Sequence, residues 1–306
     1  MNILVTGGAG FIGSHIVDAY VSLGHRVVIV DNFSTGRREN VNQNATIHDI
    51  DLRDERLHEV FDVHKIDVVN HHAAQIDVRA SVEDPANDAM VNIVGGINLY
   101  EQCVRHGVKK IIFASTGGAI YGEQDYFPAD ELHPMRPDSP YGISKLANEK
   151  YLHYYGKQFG VVPVVLRYTN VYGPRQNPHG EAGVVAIFAE KMVKSQQPVI
   201  YGDGLQTRDY VFVADVVRAN IAALDVQRAD AFNVCTGRET NVVEIFDGLR
   251  AALHPACPKV FAPARMGEQR RSVCTYAKSE RELGWKPKVG IDEGLGLTAR
   301  FFQNSL

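Results

Sequence analysis

The stretch that most constrains the fold is NILVTGGAGFIGSH, at the N-terminus of the chain. An apolar run leads into closely spaced glycines, and a helical pattern follows directly. Gly8, Gly10 and Gly13 fit G-x-G-x-x-G, and Gly7 in place of Gly8 gives the related G-x-x-G-x-x-G. Such glycines allow a tight turn and bring backbone N–H groups at a helix N-terminus close to a phosphate. Because glycine-rich turns also occur as simple connections, the context must decide.

The context is an alternation of strands and helices. Strands nearly continuous in Val and Ile are predicted at residues 2–6, 26–30, 45–48, 67–71 and 110–115. Helices are predicted at about residues 12–23, 54–63, 87–105 and 141–158. Such strands are typical of a parallel sheet covered on both faces, and the alternation gives right-handed βαβ units. The chain is therefore predicted to be an α/β protein with a Rossmann-type, doubly wound parallel sheet and helices on both faces.

An acidic residue at the end of the second strand makes the glycine turn specific. Asp31 follows Gly13 by 18 residues, where a carboxylate can bind the ribose hydroxyls of a dinucleotide. A negative group there disfavours a 2′-phosphate, so NAD is favoured over NADP. Arg37 and Arg38 lie further along the same loop and leave NADP open. The prediction is a dinucleotide site with NAD preferred.

The regular alternation of predicted strands and helices ends after VVPVVLRY, residues 161–168. Residues 170–183 are rich in Gly, Pro and Asn and are predicted to form a loop, and the elements beyond them are short. We expect an NAD-binding Rossmann domain over residues 1–169, to which some later segments return. Residues 170–306 are expected to form mainly a smaller C-terminal α/β lobe that binds the substrate.

Composition excludes several other classes of protein. A formal net charge of −4 over 306 residues gives no basic face for nucleic acid. Apolar runs are too short to cross a bilayer, and the N-terminus is a strand pattern, not a signal peptide. Four widely spaced cysteines suit reduced thiols in a cytoplasmic protein, and no cluster of ligands predicts a metal. His71 and His72, at a strand end, are expected to pack beside the cofactor.

A second pattern, DSPYGISKLANEKY, carries candidate chemistry. Ser139 as N-cap and Pro140 at the first helical position predict a helix start, so Tyr141 and Lys145 share one helical face. An isolated Y-x-x-x-K is more often an amphipathic pair than a catalytic one. Here a redox-cofactor site is predicted on the same chain, and FASTGGAIYG, residues 113–122, brings hydroxyls to a strand end. Together these features indicate catalysis.

These motifs resemble the extended short-chain dehydrogenases/reductases, and among them the UDP-glucose (UDP-galactose) 4-epimerases. The resemblance runs over nearly the whole chain, from VTGGAGFIGSH through YGISK, RYTNVYGPRQ and GDGLQTRDYVFVADV to RELGWKP. It implies NAD as a bound cofactor, a UDP-sugar substrate, and epimerisation at sugar C4 through a transient 4-keto intermediate. It also implies a homodimer formed through two helices of the dinucleotide domain.

The resemblance implies three catalytic residues. Tyr141 would act as a phenolate acid/base on the sugar 4-hydroxyl. Since an ordinary tyrosine has a pKa of about 10, Lys145 and the positive nicotinamide ring are expected to lower it, and Lys145 also to hold the nicotinamide ribose. Thr116 matches the family's Ser/Thr that hydrogen-bonds the reacting oxygen, with Ser115 assisting. The loop is one residue longer than usual, so counting from its far end would place Gly117 there instead.

The resemblance also implies a cofactor site. Asp51 and Leu52 are expected to flank the adenine, and Ala73 and Ala74 to form the floor. The full set is Gly7, Gly10, Phe11, Ile12, Gly13, Asp31, Asn32, Ser34, Thr35, Gly36, Asp51, Leu52, Ala73, Ala74, Asn92, Tyr141, Lys145 and Tyr168.

For the UDP-sugar the resemblance implies Ser115, Thr116, Asn170, Gly183, Val184, Tyr201, Arg208, Arg265, Glu268 and Ser272. Arg208 and Arg265 suit charge-assisted, bidentate hydrogen bonds to a diphosphate. Ser272 stands where some family members have a bulky tyrosine that crowds the sugar 2-substituent. UDP-GlcNAc and UDP-GalNAc are therefore expected to be accepted as well.

Three other functions stay open. A nucleotide-sugar 4,6-dehydratase usually carries an Asp-Glu pair directly after the active-site threonine, and Gly117 and Gly118 in those places argue against it. A UDP-glucuronate decarboxylase would need a group that recognises the sugar carboxylate, and none is identified from the sequence. The third is a non-catalytic NAD-binding protein, which the Thr116, Tyr141 and Lys145 set disfavours.

Overall fold

The computed structural model describes residues 1–179, 183–264 and 269–305. Its strands are β1 (Asn2–Thr6), β2 (Arg26–Asp31), β3 (Thr46–Asp49), β4 (Val68–His71), β5 (Lys110–Thr116), β6 (Val162–Tyr168), β7 (Asn170–Tyr172), β8 (Ile200–Tyr201), β9 (Thr207–Phe212), β10 (Asp230–Val234), β11 (Glu239–Asn241) and β12 (Phe261–Ala262). Its α-helices are α1 (Phe11–Ser22), α2 (Leu57–Val63), α3 (Val78–Glu83), α4 (Pro85–Ala89), α5 (Gly95–Arg105), α6 (Pro140–Phe159), α7 (Val184–Val193), α8 (Val213–Ala223), α9 (Val242–Leu253), α10 (Ala277–Leu283) and α11 (Ile291–Ser305).

The main sheet confirms the predicted doubly wound architecture. Seven parallel strands follow the order β10-β6-β5-β4-β1-β2-β3, so the order reverses beside β1. Alternate residues of β1 pack on opposite faces: Ile3 joins the core under α1 and α8, and Leu4 joins the core under α5 and α6. Ligands of such sheets bind outside the carboxyl ends of the strands at the point of reversal.

A second packing unit lies after β6. Helices α7, α9 and α11 bury Phe188, Phe246 and Leu295 in a separate apolar cluster. Strands β11, β9 and β7 form a small sheet beside it. Two later elements return to the main sheet, since β10 pairs with β6 and α8 packs against α1.

Two local predictions were only partly right. Residues 170–183 were predicted to be loop, but residues 170–172 form β7, which pairs with β9 and buries Tyr172. Residues 173–179 are loop, as predicted, and 180–182 lie outside the described residues. The single helix predicted over 87–105 is divided into α4, a π-helical turn at Met90–Val94, and α5. A π-turn inserts an extra residue into the helix, which a periodicity of 3.6 does not reveal.

Candidate functional site

A cavity of about 590 Å³ lies at the carboxyl edge of the main sheet. Four elements that follow β6 in the chain, β7, α7, β8 and β9, also contribute residues to its wall. Most of the residues predicted to bind cofactor or substrate line it: Gly7, Gly10, Phe11, Ile12, Gly13, Asp31, Asn32, Ser34, Thr35, Asp51, Leu52, Ala73, Ala74, Ser115, Thr116, Tyr141, Lys145, Tyr168, Asn170, Gly183, Val184, Tyr201 and Arg208.

The glycine turn forms one end of this cavity and brings the start of α1 against β1. Gly7 adopts a φ of +69°, and a Cβ there would lie 2.7 Å from the Ala73 nitrogen. A Cβ on Gly13 would lie 2.2 Å from the Gly7 carbonyl oxygen. The first N–H groups of a helix have no intrahelical partner, and those of α1 begin at this wall. Only glycine permits this cradle, which fits a dinucleotide pyrophosphate.

Asp31 ends β2 at the cavity wall. Its two carboxylate oxygens accept hydrogen bonds from the Ala9 and Phe33 N–H groups, each at 2.9 Å. Burial raises the pKa of this carboxyl above its usual range, and the two backbone hydrogen bonds oppose the rise. Each oxygen keeps a lone pair for a ligand, so the fixed carboxylate fits a pair of ribose hydroxyls. Gly36 does not line the cavity; a Cβ there would lie 2.7 Å from Asp31 Oδ1.

A second acid lines the part of the cavity where the adenine is predicted to bind. Asp51 accepts from Asn32 Nδ2 at 2.7 Å and from the Arg53 side chain at 2.8 Å. The Arg53 guanidinium holds the pKa of Asp51 well below its usual range. Asp51 is therefore ionised and fixed, with Leu52 beside it in the wall.

The segment after β4, which was predicted to form the floor of the cofactor site, lines the cavity. Asn92, predicted to hold the cofactor, does not line the cavity; its amide accepts from the Gln75 N–H and donates to the Gln75 carbonyl, both at 2.9 Å. It therefore supports the floor from behind. His72 lines the cavity and pairs with the Tyr168 hydroxyl at 3.1 Å. Burial lowers the pKa of His72 to about 3, so this imidazole is neutral and packs beside the site as expected.

The start of α6 confirms the predicted cap. Ser139 accepts a hydrogen bond from the Gly142 N–H at 3.2 Å, and Pro140 occupies the first turn. Tyr141 and Lys145, one helical turn apart, both line the cavity. Lys145 Nζ donates to the Ala114 carbonyl at 2.9 Å and lies 5.8 Å from the centre of the Tyr141 ring. Burial lowers the pKa of Lys145 to about 8.

The end of β5 supplies two hydroxyls with different roles. Thr116 Oγ1 accepts from the Ala119 N–H at 3.1 Å, so its hydrogen can be donated into the cavity. Ser115 donates its only hydroxyl hydrogen to Glu149 at 2.6 Å and can present only lone pairs to a ligand. Gly117 does not line the cavity; a Cβ there would lie 3.3 Å from the Arg167 carbonyl oxygen. The structure thus favours Thr116 over Gly117 as the donor.

The predicted substrate residues are only partly brought together. Asn170, Tyr201 and Arg208 lie in the wall with the start of α7. Arg265 and Glu268 lie outside the described residues. Ser272 is buried, and its N–H donates to the Thr207 carbonyl at 3.2 Å, next to Arg208, but it does not line the cavity.

Several polar residues of the wall were not identified from the sequence: Arg79, Gln176, Lys191 and Gln206. Their residue types carry no chemical signal alone, although Gln176 and Gln206 fall within two of the motifs, YGPRQ and GDGLQTRDY. Within residues 1–179, 183–264 and 269–305, no group of three or more His, Cys, Asp or Glu is placed to hold a metal ion. In the same ranges no helix has the length and apolarity needed to cross a membrane.

Comparisons with known proteins agree with this geometry. The model of the NAD dependent epimerase/dehydratase family matches residues 3–235. A Methanocaldococcus jannaschii protein named putative UDP-glucose 4-epimerase is 46% identical over 303 residues, which cover 99% of each chain.

Solved structures extend the likeness. The UDP-glucose 4-epimerase of Thermotoga maritima with UDP-glucose is 48% identical, with a TM-score of 0.98 over 100% of this chain and 99% of that one. The Thermus thermophilus enzyme in complex with NAD is 47% identical, with a TM-score of 0.95 over 100% of both chains. A UDP-N-acetylglucosamine 4-epimerase from Methanobrevibacter ruminantium is 34% identical, with a TM-score of 0.93 over 100% and 99%.

Proposed function

The chain belongs to the NAD-dependent epimerase/dehydratase family, and we propose that it interconverts UDP-glucose and UDP-galactose by epimerisation at C4, with NAD as its cofactor. One observation carries this proposal: Thr116, Tyr141 and Lys145 meet in one cavity with the glycine turn. The UDP-glucose 4-epimerases to which the chain is similar over nearly its full length support the same reaction.

The residues of the cavity divide into a holding and a reacting set. The glycine turn and Asp31 would hold the dinucleotide, and Arg208, which lines the same cavity, would bind the diphosphate of the sugar nucleotide. NAD bound there supplies the acceptor, and then the donor, of the two electrons exchanged at C4 of the sugar.

Tyr141 takes the proton of the 4-hydroxyl and later returns it to the carbonyl oxygen of the transient 4-keto sugar, once the sugar has turned the opposite face of C4 toward the nicotinamide. The Lys145 ammonium favours the phenolate electrostatically, and Thr116 donates a hydrogen bond to the reacting oxygen. The keto sugar must turn first one face of C4 and then the other toward the nicotinamide. The contacts of the cavity wall with the hexose must therefore break while the diphosphate stays bound.

Product identification tests the proposed function directly. Incubation with UDP-glucose or UDP-galactose and chromatography should yield the other 4-epimer, with no net consumption of NAD. A 4-keto-6-deoxy sugar would indicate a dehydratase, and a pentose formed from UDP-glucuronate would indicate a decarboxylase. Absence of any product would leave a non-catalytic NAD-binding protein. Gly117 and Gly118, which follow Thr116, have no side chain that could serve as the acid or base of a dehydration, so we expect only the epimer.

We further propose that the N-acetylated sugars are substrates. Ser272 replaces a bulky tyrosine of some family members and lies beside the strand that carries Arg208. UDP-GlcNAc and UDP-GalNAc should therefore interconvert, and Ser272→Tyr should lower kcat/KM for that pair at least ~10-fold, about 1.4 kcal/mol, while the UDP-glucose pair is little affected. Initial rates on both pairs measure this. If neither the wild-type chain nor Ser272→Tyr converts the acetylated pair, the proposal is contradicted.

A homodimer in the cytoplasm completes the proposed function. Exposed apolar side chains lie one helical turn apart on the π-turn, Met90 and Val94, and two turns apart on α6, Ile143 and Tyr151. Exposed apolar side chains on neighbouring turns of these helices support a contact between subunits, where they would be buried. Sedimentation equilibrium should give about twice the 33.8 kDa mass of one chain. A mass of one chain at micromolar concentration would contradict the dimer.

A further inference from the structure

Lys145 is a buried cation whose counter-charge is not evident from its contacts. The residue is 4% exposed, and Nζ donates to the neutral Ala114 carbonyl. In the described ranges no carboxylate lies within 4.0 Å of its ammonium. An isolated buried ammonium is strongly disfavoured, so a compensating negative charge is needed nearby.

Glu149 is the obvious candidate, because it follows Lys145 by one helical turn on α6. Its carboxylate is already committed: Arg167 donates to it from Nε at 3.0 Å and from Nη2 at 2.7 Å. Both side chains are buried, at 8% and 4% exposure, and their charges cancel. Glu149 therefore balances Arg167 and not Lys145.

The remaining titratable groups that face Lys145 supply no fixed negative charge. On β4, burial lowers the pKa of His71 well below its usual range and lowers that of His72, and the nearby Lys145 charge adds to both shifts. Both imidazoles are therefore neutral. On α6, Tyr141 is the acid/base that takes and returns a proton in the proposed reaction, so it is not a permanent counter-charge, and on β6 burial raises the pKa of Tyr168.

Asp88 on α4 is different. It is 1% exposed and accepts hydrogen bonds from Ser144 Oγ at 2.6 Å, Asn92 Nδ2 at 2.9 Å and Gln75 Nε2 at 3.1 Å. A carboxylate has the lone pairs to accept all three of these hydrogen bonds. No lysine or arginine in the described part of the chain lies within 4.0 Å of it. One of its donors, Ser144, precedes Lys145 directly.

We propose that Asp88 is the buried counter-charge of Lys145 and a positioning residue of the reaction. Its charge acts across the α4–α6 contact and keeps Lys145 an ammonium at neutral pH. The charges of the region then balance as two buried pairs, Asp88 with Lys145 and Glu149 with Arg167. The attraction of Asp88 is also the influence that raises the pKa of Lys145 against the lowering by burial. The catalytic consequence rests on the proposed function, whereas the electrostatic one does not.

Asp88→Asn tests the charge with little change of shape. The asparagine oxygen can keep the bonds from Asn92 and Gln75, and Ser144 can turn its hydroxyl to accept from the new amide. The full chain, saturated with NAD and carrying lysine labelled with ¹³C at Cε, is titrated by NMR, with Lys145→Met used to assign the Lys145 signal. Glu83→Gln, which removes an exposed carboxylate from neighbouring α3, is the matched control.

We expect the Lys145 titration midpoint to fall by about one pH unit in Asp88→Asn and to stay unchanged in Glu83→Gln. The alkaline limb of the kcat profile should move by the same amount. That is roughly tenfold less activity than wild type at pH 9, with nearly equal activity at pH 6.5. If Asp88→Asn does not fold, Asp88→Ser is titrated instead.

An unchanged midpoint overturns the proposal, even if activity falls equally at every pH, because Asp88 would then act only on the fold. A shift of the same size in Glu83→Gln also overturns it, since any nearby carboxylate would then suffice. The two proposals can fail separately. If the Lys145 midpoint falls in Asp88→Asn but the wild-type chain does not epimerise UDP-sugars, Asp88 is the counter-charge of Lys145 and the proposed function is wrong.

Discussion

Tyr141→Phe is expected to lower kcat for UDP-galactose epimerisation by about 10³-fold, while NAD stays bound. The change removes one oxygen and keeps the ring, so the wall of the cavity keeps its shape. The Ser139 cap and Pro140 at the start of α6 depend on the backbone and are unaffected. What is lost is the group that exchanges a proton with the 4-hydroxyl. Single-turnover and steady-state rates, with NAD content determined after protein denaturation, measure the effect.

A matched control lies on the same helix. Tyr154 is 49% exposed, so Tyr154→Phe makes the identical chemical change outside the cavity and should leave kcat unchanged. Wild-type activity in Tyr141→Phe would reject its assignment as the acid/base. Simultaneous loss of activity and of NAD would instead assign Tyr141 to cofactor binding. Equal losses in both variants would point to α6 as a whole.

Much of this site was predictable because its determinants are local in sequence. The glycine turn, the cap at Ser139 and the spacing of Tyr141 and Lys145 each depend on a few consecutive residues, and the fold places them as expected. Strand–helix alternation then fixes the edge at which they meet, since the carboxyl ends of parallel strands share one edge.

The rest depends on contacts between distant residues. Ser115 was expected to assist Thr116, but Glu149, 34 residues later, takes its hydrogen. Asn92 was expected at the cofactor, but its side-chain amide accepts from the Gln75 N–H and donates to the Gln75 carbonyl. Such partners follow from the packing of α6 and the π-turn against strand ends, which periodicity does not specify. Some residues that follow β6, such as Gln206, also reach the cavity. Their position there is determined by how the later elements pack against the main sheet, which no local sequence pattern predicts.

Gly13→Ala is expected to abolish tight NAD binding, with a loss of affinity of at least ~100-fold, about 2.7 kcal/mol. Intrinsic helix propensity alone would favour alanine by about 1 kcal/mol, since Gly13 lies inside α1. Packing makes the net effect of alanine on stability unfavourable, because the new Cβ would lie 2.2 Å from the Gly7 carbonyl oxygen and 2.9 Å from the Gly7 carbonyl carbon. Both are backbone atoms that no rotamer change can move, so α1 must shift away from the turn. Calorimetric titration of the cofactor-free chain with NAD measures the loss.

Gly296→Ala provides the control that separates propensity from packing. Gly296 lies inside α11, and a Cβ there would meet no atom within 4 Å. That variant should bind NAD normally and unfold at the same or a slightly higher temperature, whereas Gly13→Ala should lose about 3 kcal/mol of folding free energy through overpacking. Unchanged NAD affinity in Gly13→Ala would mean that the helix can retreat without disturbing the pyrophosphate site. The N–H groups of the first turn of α1 would then not be the groups that hold the cofactor, and the proposed dinucleotide cradle would be wrong.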